Sequence, residues 1–239
     1  MINKIIHLIK IEKMKNRYYP ILQALKKYNL NFNKNQSLNL PSNSNFGNLI
    51  RSWSQIVTRI HCVNTQIINL YTEFYYSQEE VKSKGYYENT LDQGYQEIMY
   101  TEQIFYWLRK TSDELISLIS ILTYFKTQNK YPDKIKISSI GEFLNKENPF
   151  DGSFNEFKYL LKILNDVSNA YKHSFLNSQF EQHHIEDYPI AFAYSHQYND
   201  LTKQPEFYKV NLNDFLNNYD SFLETVKTYL KSNFELEEN

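Results

Sequence analysis

The segment GNLIRSWSQIVTRIHCVNTQIINLYTEFYYSQ, from Gly47 to Gln78, decides the fold class of this chain. Its apolar residues recur at alternating intervals of four and three, which aligns them along one side of an α-helix. This apolar stripe consists of Leu49, Trp53, Ile56, Ile60, Val63, Ile67, Leu70 and Phe74. A stripe of this length predicts a long helix that packs in an α-helical bundle.

A second long helix is predicted from Tyr95 to Thr127, after a break around Gly85 and Gly94. Its apolar residues again follow helical spacing, and Pro132 lies beyond its end. Two long helices joined by a modest turn are typical of an antiparallel bundle.

The C-terminal half adds a shorter helix and a change of period. The apolar spacing predicts a helix from Phe154 to about Leu176. From Ile190 to Tyr194, large apolar residues alternate with alanine, which indicates a half-buried strand that pairs with Phe207 to Val210. A closing helix follows, with Asn211 as its predicted cap. The predicted class is mainly α, a bundle with a small C-terminal β-hairpin and a closing helix.

The predicted organisation is one structural domain built from three segments. Residues 1–46 form an N-terminal helical segment, divided by Pro20, and a polar linker. Residues 47–180 form the helical bundle. Residues 181–239 form the hairpin and the C-terminal helix, which pack on the bundle because an isolated hairpin is only marginally stable.

Composition excludes several classes of function. The net charge of −1 gives no sign of a nucleic-acid or acidic-membrane partner. Cys62 is the single cysteine, so no internal disulfide and no cysteine-based zinc site can form, and its place in a helix predicts a small buried side chain. Charged residues interrupt the apolar N-terminus, so we expect a soluble cytoplasmic protein without a membrane segment. The glycines never cluster as a phosphate-binding loop requires.

The candidate chemistry lies in SNAYKHSF, from Ser168 to Phe175. On a helix, Asn169 and His173 stand one turn apart, with Lys172 to one side. The amide donates and accepts hydrogen bonds, the imidazole acts as an acid or base near neutral pH, and the ammonium can hold a phosphate. The alternative is that these residues simply finish a helix, because Asn, Lys and His are all common near helix C-termini.

A second polar sector lies on the predicted second helix. Glu102, Arg109 and Asp113 are spaced seven and four residues apart, within one narrow sector. If this sector borders the bundle interior, it can meet the face of Asn169 and His173 and form a polar cleft. The alternative is an ordinary exposed ion pair between Arg109 and Asp113.

These features together resemble the HEPN superfamily of small α-helical domains, over roughly residues 47–176. In that family an arginine, usually followed by a polar residue such as asparagine, precedes a histidine by four to six intervening residues. Asn169 and His173 match the polar residue and the histidine. The arginine has no match, because its permitted positions hold Asp166, Val167 and Ser168.

The resemblance implies a metal-independent ribonuclease of the toxin or antiviral-defence type, without a cofactor. His173 then acts as acid or base in attack by the RNA 2′-hydroxyl, and Asn169 orients it or the phosphate. Lys172 or Arg109 replaces the missing cation, while Ser168, Glu102 and Asp113 belong to the binding surface. The implied partners are RNA or a nucleotide, a second copy of the chain, and an antitoxin or defence-system protein.

Other hypotheses remain open at this stage. The missing arginine favours a catalytically degenerate HEPN-like subunit that binds a nucleotide, RNA or a protein within a defence assembly. A third hypothesis is a helical scaffold with an exposed apolar face along Trp53 or Trp107. The adjacent His183 and His184 raise the possibility of a metal site, although adjacent histidines in a polar loop are usually solvated, and we predict none.

Overall fold

The computed structural model describes residues 17–26, 37–84, 91–173, 186–195 and 202–236, without the side chains of residues 91–93. Within these ranges the chain is mainly α-helical and carries one small antiparallel two-stranded sheet near its C-terminus. The predicted mainly α class with a C-terminal hairpin is thereby confirmed. None of the described helices has an apolar stretch long enough to cross a lipid bilayer.

Two long helices dominate the described chain, α1 from Leu49 to Lys84 and α2 from Leu91 to Gln128. The helix predicted from Gly47 begins two residues later, because Gly47 has a φ of 92° and belongs to a turn. The Asn48 side chain accepts a hydrogen bond from the amide of Arg51 at 3.0 Å, which caps the start of α1.

The described part of the predicted N-terminal helical segment is not helical. Residues 17–26 contain one bend, at Arg17, and one turn, at residues 24–25, and residues 1–16 lie outside the described ranges. Pro20 has no amide hydrogen to donate, and the next amide, that of Ile21, bonds to the carbonyl of Tyr19 instead. The helical prediction is therefore wrong for residues 17–26.

A short helix, α3 from Ile140 to Leu144, follows α2 and is capped by Ser139. The Ser139 hydroxyl accepts from the Glu142 amide at 3.2 Å. The Glu142 carboxylate in turn accepts from the Ser138 amide at 2.6 Å. These reciprocal bonds fix the first turn of a helix too short to be stable by itself.

The next helix begins later than its apolar spacing predicts. Short 3₁₀ segments occupy Pro149–Gly152 and Asn155–Phe157, and α4 runs from Lys158 to His173. Phe150 and Asp151 have φ values of 53° and 54°, in the left-handed region. Phe154 itself has a φ of −124° and a ψ of 17°, outside the helical region, and the residues after it are 3₁₀, so the α-helix begins only at Lys158.

The hairpin consists of β1 from Ile190 to Ser195 and β2 from Glu206 to Asn211, and α5 from Leu212 to Phe234 follows directly. The strands are antiparallel, with Ile190 opposite Asn211 and Ser195 opposite Glu206. The Asn211 side chain accepts from the Asn213 amide at 2.9 Å, which confirms its predicted role as the cap of α5.

The buried face of β1 is formed mainly by its small residues. Ala191 and Ala193 have no exposed surface, whereas Phe192 and Tyr194 are only partly buried. Alternation along the strand is therefore real, but the alanine face is turned further inward than the aromatic face. Small side chains allow the strand backbone to approach the core closely.

The backbone divides into two compact units, and each takes residues from all three predicted segments. Unit 1 comprises Met1–Ile21, Asn64–Phe105 and Asp166–Asn217, and unit 2 comprises Leu22–Val63, Tyr106–Asn165 and Asn218–Asn239. In unit 1, Phe105 stacks on Phe215 with ring centroids 4.9 Å apart.

The core of unit 2 contains a buried polar pair among its aromatic side chains. The hydroxyls of Ser112 and Tyr219 lie 2.9 Å apart, and Tyr219 also lies 3.0 Å from the carbonyl oxygen of Leu108. Burial raises the pKa of Tyr219, so the phenol stays protonated. Both buried hydroxyls are thus satisfied within the core.

Candidate functional site

The polar motif occupies the last two turns of α4. Val167 is fully buried and Ser168 nearly so. Asn169 is half-buried, whereas Lys172 and His173 are exposed. Because successive residues on a helix turn by about 100°, Asn169 and His173 lie one turn apart with Lys172 beside them. The end of α4 therefore presents an amide, a cation and an imidazole.

Residues 166–168, the positions at which the HEPN motif would carry its arginine, hold no cationic side chain. Val167 and Ser168 face the interior, and the Asp166 carboxylate accepts a hydrogen bond from the Tyr208 hydroxyl at 2.7 Å. That bond joins α4 to strand β2. Asp166 thus has a structural partner in the hairpin, and the hydroxyl of Ser168, a predicted binding residue, lies beneath the exposed face.

Tyr171 anchors the motif end of α4 within unit 1. Its hydroxyl donates to the carbonyl oxygen of Phe192 at 3.0 Å, and its ring meets Phe105 edge to face, with centroids 5.8 Å apart. Burial, and then the nearby Glu102, raise the pKa of Tyr171. Tyr171 therefore remains a neutral hydrogen-bond donor.

Glu102 is the predicted site residue of α2 that the structure brings to the motif helix. It lies close enough to Tyr171 to act on the pKa of that phenol. Glu102 is itself half-buried, and burial raises the pKa of its carboxyl group. One predicted member of the polar sector on α2 is thereby placed near the end of α4.

Arg109 and Asp113, also predicted site residues, belong to unit 2, whereas His173 belongs to unit 1. The Asp113 carboxylate accepts a hydrogen bond from the Ile140 amide at 2.7 Å, so it holds the first residue of α3. Burial raises the pKa of Asp113, although the Ile140 amide and Arg109 act in the opposite direction. Asp113 therefore stabilises a helix start.

The sequence predictions missed a groove along the outer side of α1. The groove has a volume of about 440 Å³, and its wall on α2 is Trp107. Six residues of α1 line it: Arg51, Ser54, Gln55, Thr58, Arg59 and Cys62. A sequence signal did exist, because these residues follow helical spacing on the side opposite the apolar stripe.

Two predictions about single side chains are wrong. Cys62 is exposed rather than buried, because its position in the helical repeat falls outside the apolar stripe. Trp53, suggested as part of an exposed apolar face, is only 1% exposed. Trp107, the other residue of that hypothesis, is 37% exposed.

The described residues contain no group of three or more His, Cys, Asp or Glu side chains placed to hold a metal ion. His183 and His184 lie outside the described ranges. Comparison with known proteins gives no matching family model, no matching curated protein and no matching solved structure. The proposed function therefore rests on the residues of the site and their geometry.

Proposed function

We propose that this chain is a HEPN-like protein that acts on RNA through the C-terminal end of α4. The observation that carries the proposal is the exposure of Lys172 and His173 side by side, one turn after Asn169. An exposed ammonium attracts a phosphate, and an imidazole exchanges protons near neutral pH. Within the described part of the chain, no carboxylate lies within ion-pair distance of Lys172.

The chemistry that these residues would support is cleavage without a metal ion. His173 takes the proton of the RNA 2′-hydroxyl while its oxygen forms a bond to phosphorus. The bond from phosphorus to the 5′-oxygen breaks, and His173 of a second copy protonates the leaving oxygen. The products are a 2′,3′-cyclic phosphate and a 5′-hydroxyl end. Lys172 stabilises the negative charge that develops on the phosphorus oxygens.

A homodimer is part of the proposal, because the acid and the base come from separate copies. The wider setting would be a toxin or an antiviral-defence system with a protein partner. Solution mass measured by light scattering tests the dimer, and a monomer at working concentration would remove the two-histidine mechanism.

A second candidate is a subunit that binds RNA or a nucleotide without cleaving it. The specific observation in its favour is the burial of Val167 and Ser168 together with the hydrogen bond of Asp166 to Tyr208. No residue at these positions supplies the cation that the family's arginine provides. Lys172 alone then serves for attraction to a phosphate, and catalysis is lost.

The decisive experiment incubates the purified protein with single-stranded RNA in the presence of EDTA. Wild-type protein, His173→Ala and Lys172→Ala are compared, and His61→Ala serves as the control because His61 is an exposed histidine on α1. A matched substrate with 2′-deoxy sugars tests the attacking group. Binding is followed in parallel with the 2′-deoxy substrate, which cannot be cleaved by this route.

The proposed ribonuclease produces fragments with cyclic phosphate ends, and His173→Ala abolishes them while His61→Ala does not. Binding of RNA without fragments, weakened by Lys172→Ala, supports the second candidate. Absence of both cleavage and binding would refute the action on RNA altogether.

A further inference from the structure

The groove between α1 and Trp107 has the features of a separate small-molecule site, and all its residues belong to unit 2. Its volume of about 440 Å³ falls in the usual range for ligand pockets, about 300–1,000 Å³. Because α1 buries its apolar stripe on the other side, the groove is not a defect in the core. It is a concave surface formed by one indole ring and six α1 side chains, and most of the surface that they expose in the groove is carbon.

Trp107 forms the α2 side of the groove, and the ring of the neighbouring Tyr106 lies against it. Trp107 is 37% exposed and Tyr106 is 51% exposed, and their rings meet edge to face with centroids 4.9 Å apart. The guanidinium of Arg59 lies 5.9 Å from the centre of a Trp107 ring. This contact restrains the indole. A restrained, partly exposed indole is a suitable surface for stacking of a planar ring.

Arg59 is fixed in place by an ion pair within the same unit. Its two terminal nitrogens lie 3.0 and 2.8 Å from the two carboxylate oxygens of Glu114. Burial acts to raise the pKa of Glu114, but hydrogen bonds from Arg59 and Lys110 lower it overall. Glu114 therefore stays ionised, and its charge offsets that of Arg59 near the indole.

Arg51 supplies the positive charge at the other end of the lining. It is exposed, and no carboxylate of the described residues lies within ion-pair distance of it. Arg51 lies eight residues before Arg59, whose guanidinium contacts Trp107, or about 12 Å along the helix axis. The guanidinium can therefore bind an anion at one end of the groove while a ring occupies the other.

The polar groups between these ends favour a ligand with hydrogen-bond donors. The hydroxyls of Ser54 and Thr58 donate to backbone carbonyls one turn earlier, at 3.0 and 2.9 Å. Their lone pairs remain as acceptors. The exposed amide of Gln55 offers both a donor and an acceptor. Sugar hydroxyls and amino groups on a ring match these groups.

We propose that the groove binds a nucleoside monophosphate, with the base stacked at Trp107 and the phosphate bound by Arg51. The ring, the single anionic group and the intervening donors of this ligand correspond in order to the features of the groove. The site is independent of the proposed action on RNA, because none of its residues belongs to the motif of α4.

Tryptophan fluorescence provides a direct test, because the chain has two tryptophans and Trp53 is buried. Titration with AMP, GMP, CMP and UMP should give saturable quenching with at least one nucleotide. Trp107→Phe should abolish the change while the emission of Trp53 persists. Arg51→Ala should weaken binding about tenfold or more, the effect of one charge-assisted hydrogen bond. Lys82 is an exposed cation elsewhere on α1, so Lys82→Ala should bind the nucleotide as tightly as the parent protein.

Alkylation of Cys62 gives a second readout, because it is the single cysteine and lines the same groove. Bound nucleotide should slow its reaction with iodoacetamide at the same concentrations that quench Trp107. Nucleoside and inorganic phosphate, used separately, should each bind more weakly than the monophosphate. The proposal fails if none of the four nucleotides gives quenching or protection, or if Arg51→Ala binds as tightly as the parent. Binding of RNA but not of mononucleotides would also overturn it.

Discussion

The phenolic hydroxyl of Tyr171 donates a hydrogen bond to the backbone carbonyl of Phe192 across 3.0 Å. This bond connects the last turn of α4 to the middle of strand β1. The two neighbours of Tyr171 differ in solvent exposure: Ala170 is buried, whereas Lys172 is exposed. Tyr171 therefore restrains the helix end that presents the candidate site.

Replacing Tyr171 by phenylalanine should destabilise the protein while preserving the ring contact with Phe105. The lost hydrogen bond is worth about 0.5–1.5 kcal/mol. Urea unfolding followed by circular dichroism measures the change. Tyr159→Phe is the matched control, because Tyr159 is on the same helix and 76% exposed. Equal stability of both variants would show that the Tyr171 bond contributes nothing measurable.

Lys172→Ala should reduce the salt dependence of RNA binding as well as its strength. Loss of one phosphate contact lowers the slope of log affinity against log salt concentration by about 0.7 for a single strand. Fluorescence anisotropy with labelled RNA at several salt concentrations measures this slope. Lys162→Ala, an exposed lysine earlier on α4, should leave it unchanged. Identical slopes for the parent and Lys172→Ala would exclude a phosphate contact.

The stability of the protein at neutral pH should respond differently to two substitutions of Asp113. Asp113→Ala removes the acceptor for the Ile140 amide and should cost about 1–3 kcal/mol. Asp113→Asn keeps an oxygen acceptor and removes the charge. Because burial raises the folded-state pKa of Asp113 above its unfolded value, the ionised form costs stability above that folded pKa. Asp113→Asn should therefore be at least as stable as the parent.

The stability gap between Asp113→Asn and the parent should narrow as pH falls through the raised pKa of Asp113. Protonation then removes the charge from the parent as well, and the cost is gone below the unfolded pKa. Thermal unfolding at several pH values checks this trend. A gap that widens in acid would contradict the assignment of burial as the dominant cause.

The turn before α4 should be sensitive to side-chain branching at one exposed position. Asp151 has a φ of 54° and is exposed, so its conformation rather than its contacts limits substitution. Asp151→Ile should cost about 1–2 kcal/mol, whereas Asp151→Asn should be nearly neutral because asparagine tolerates this region. Glu156→Ile, at a neighbouring exposed position, is the control. Equal stability of the two isoleucine variants would contradict this account.

Helical periodicity predicted the core of α1 well, because burial there follows from the fixed pitch of the helix. Every residue of its apolar stripe, from Leu49 to Phe74, is buried. The same periodicity correctly places Cys62 outside the stripe, and the prediction for Cys62 failed because it followed the average behaviour of cysteine. Local geometry was a better guide than residue type.

Features that depend on distant contacts were beyond the sequence. The bond from the Ile140 amide to Asp113 spans 27 positions, and no local pattern signals it. The left-handed conformation of Phe150 is equally unexpected for a large side chain. Its ring packs with Phe143 and Phe154, at 6.1 and 6.2 Å between centroids, which offsets the strain. Likewise, the sequence marked Asn169, Lys172 and His173 without showing which of them is exposed.

The exposed thiol of Cys62 affects how self-association of this chain must be measured. In air-exposed buffer, two chains can join through an intermolecular disulfide during purification, and the product has the mass of a dimer. Such a disulfide-linked dimer is not evidence that two copies associate through the C-terminal end of α4. Mass measurements with fresh reductant, or with Cys62→Ser, separate oxidative cross-linking from a reversible equilibrium between copies.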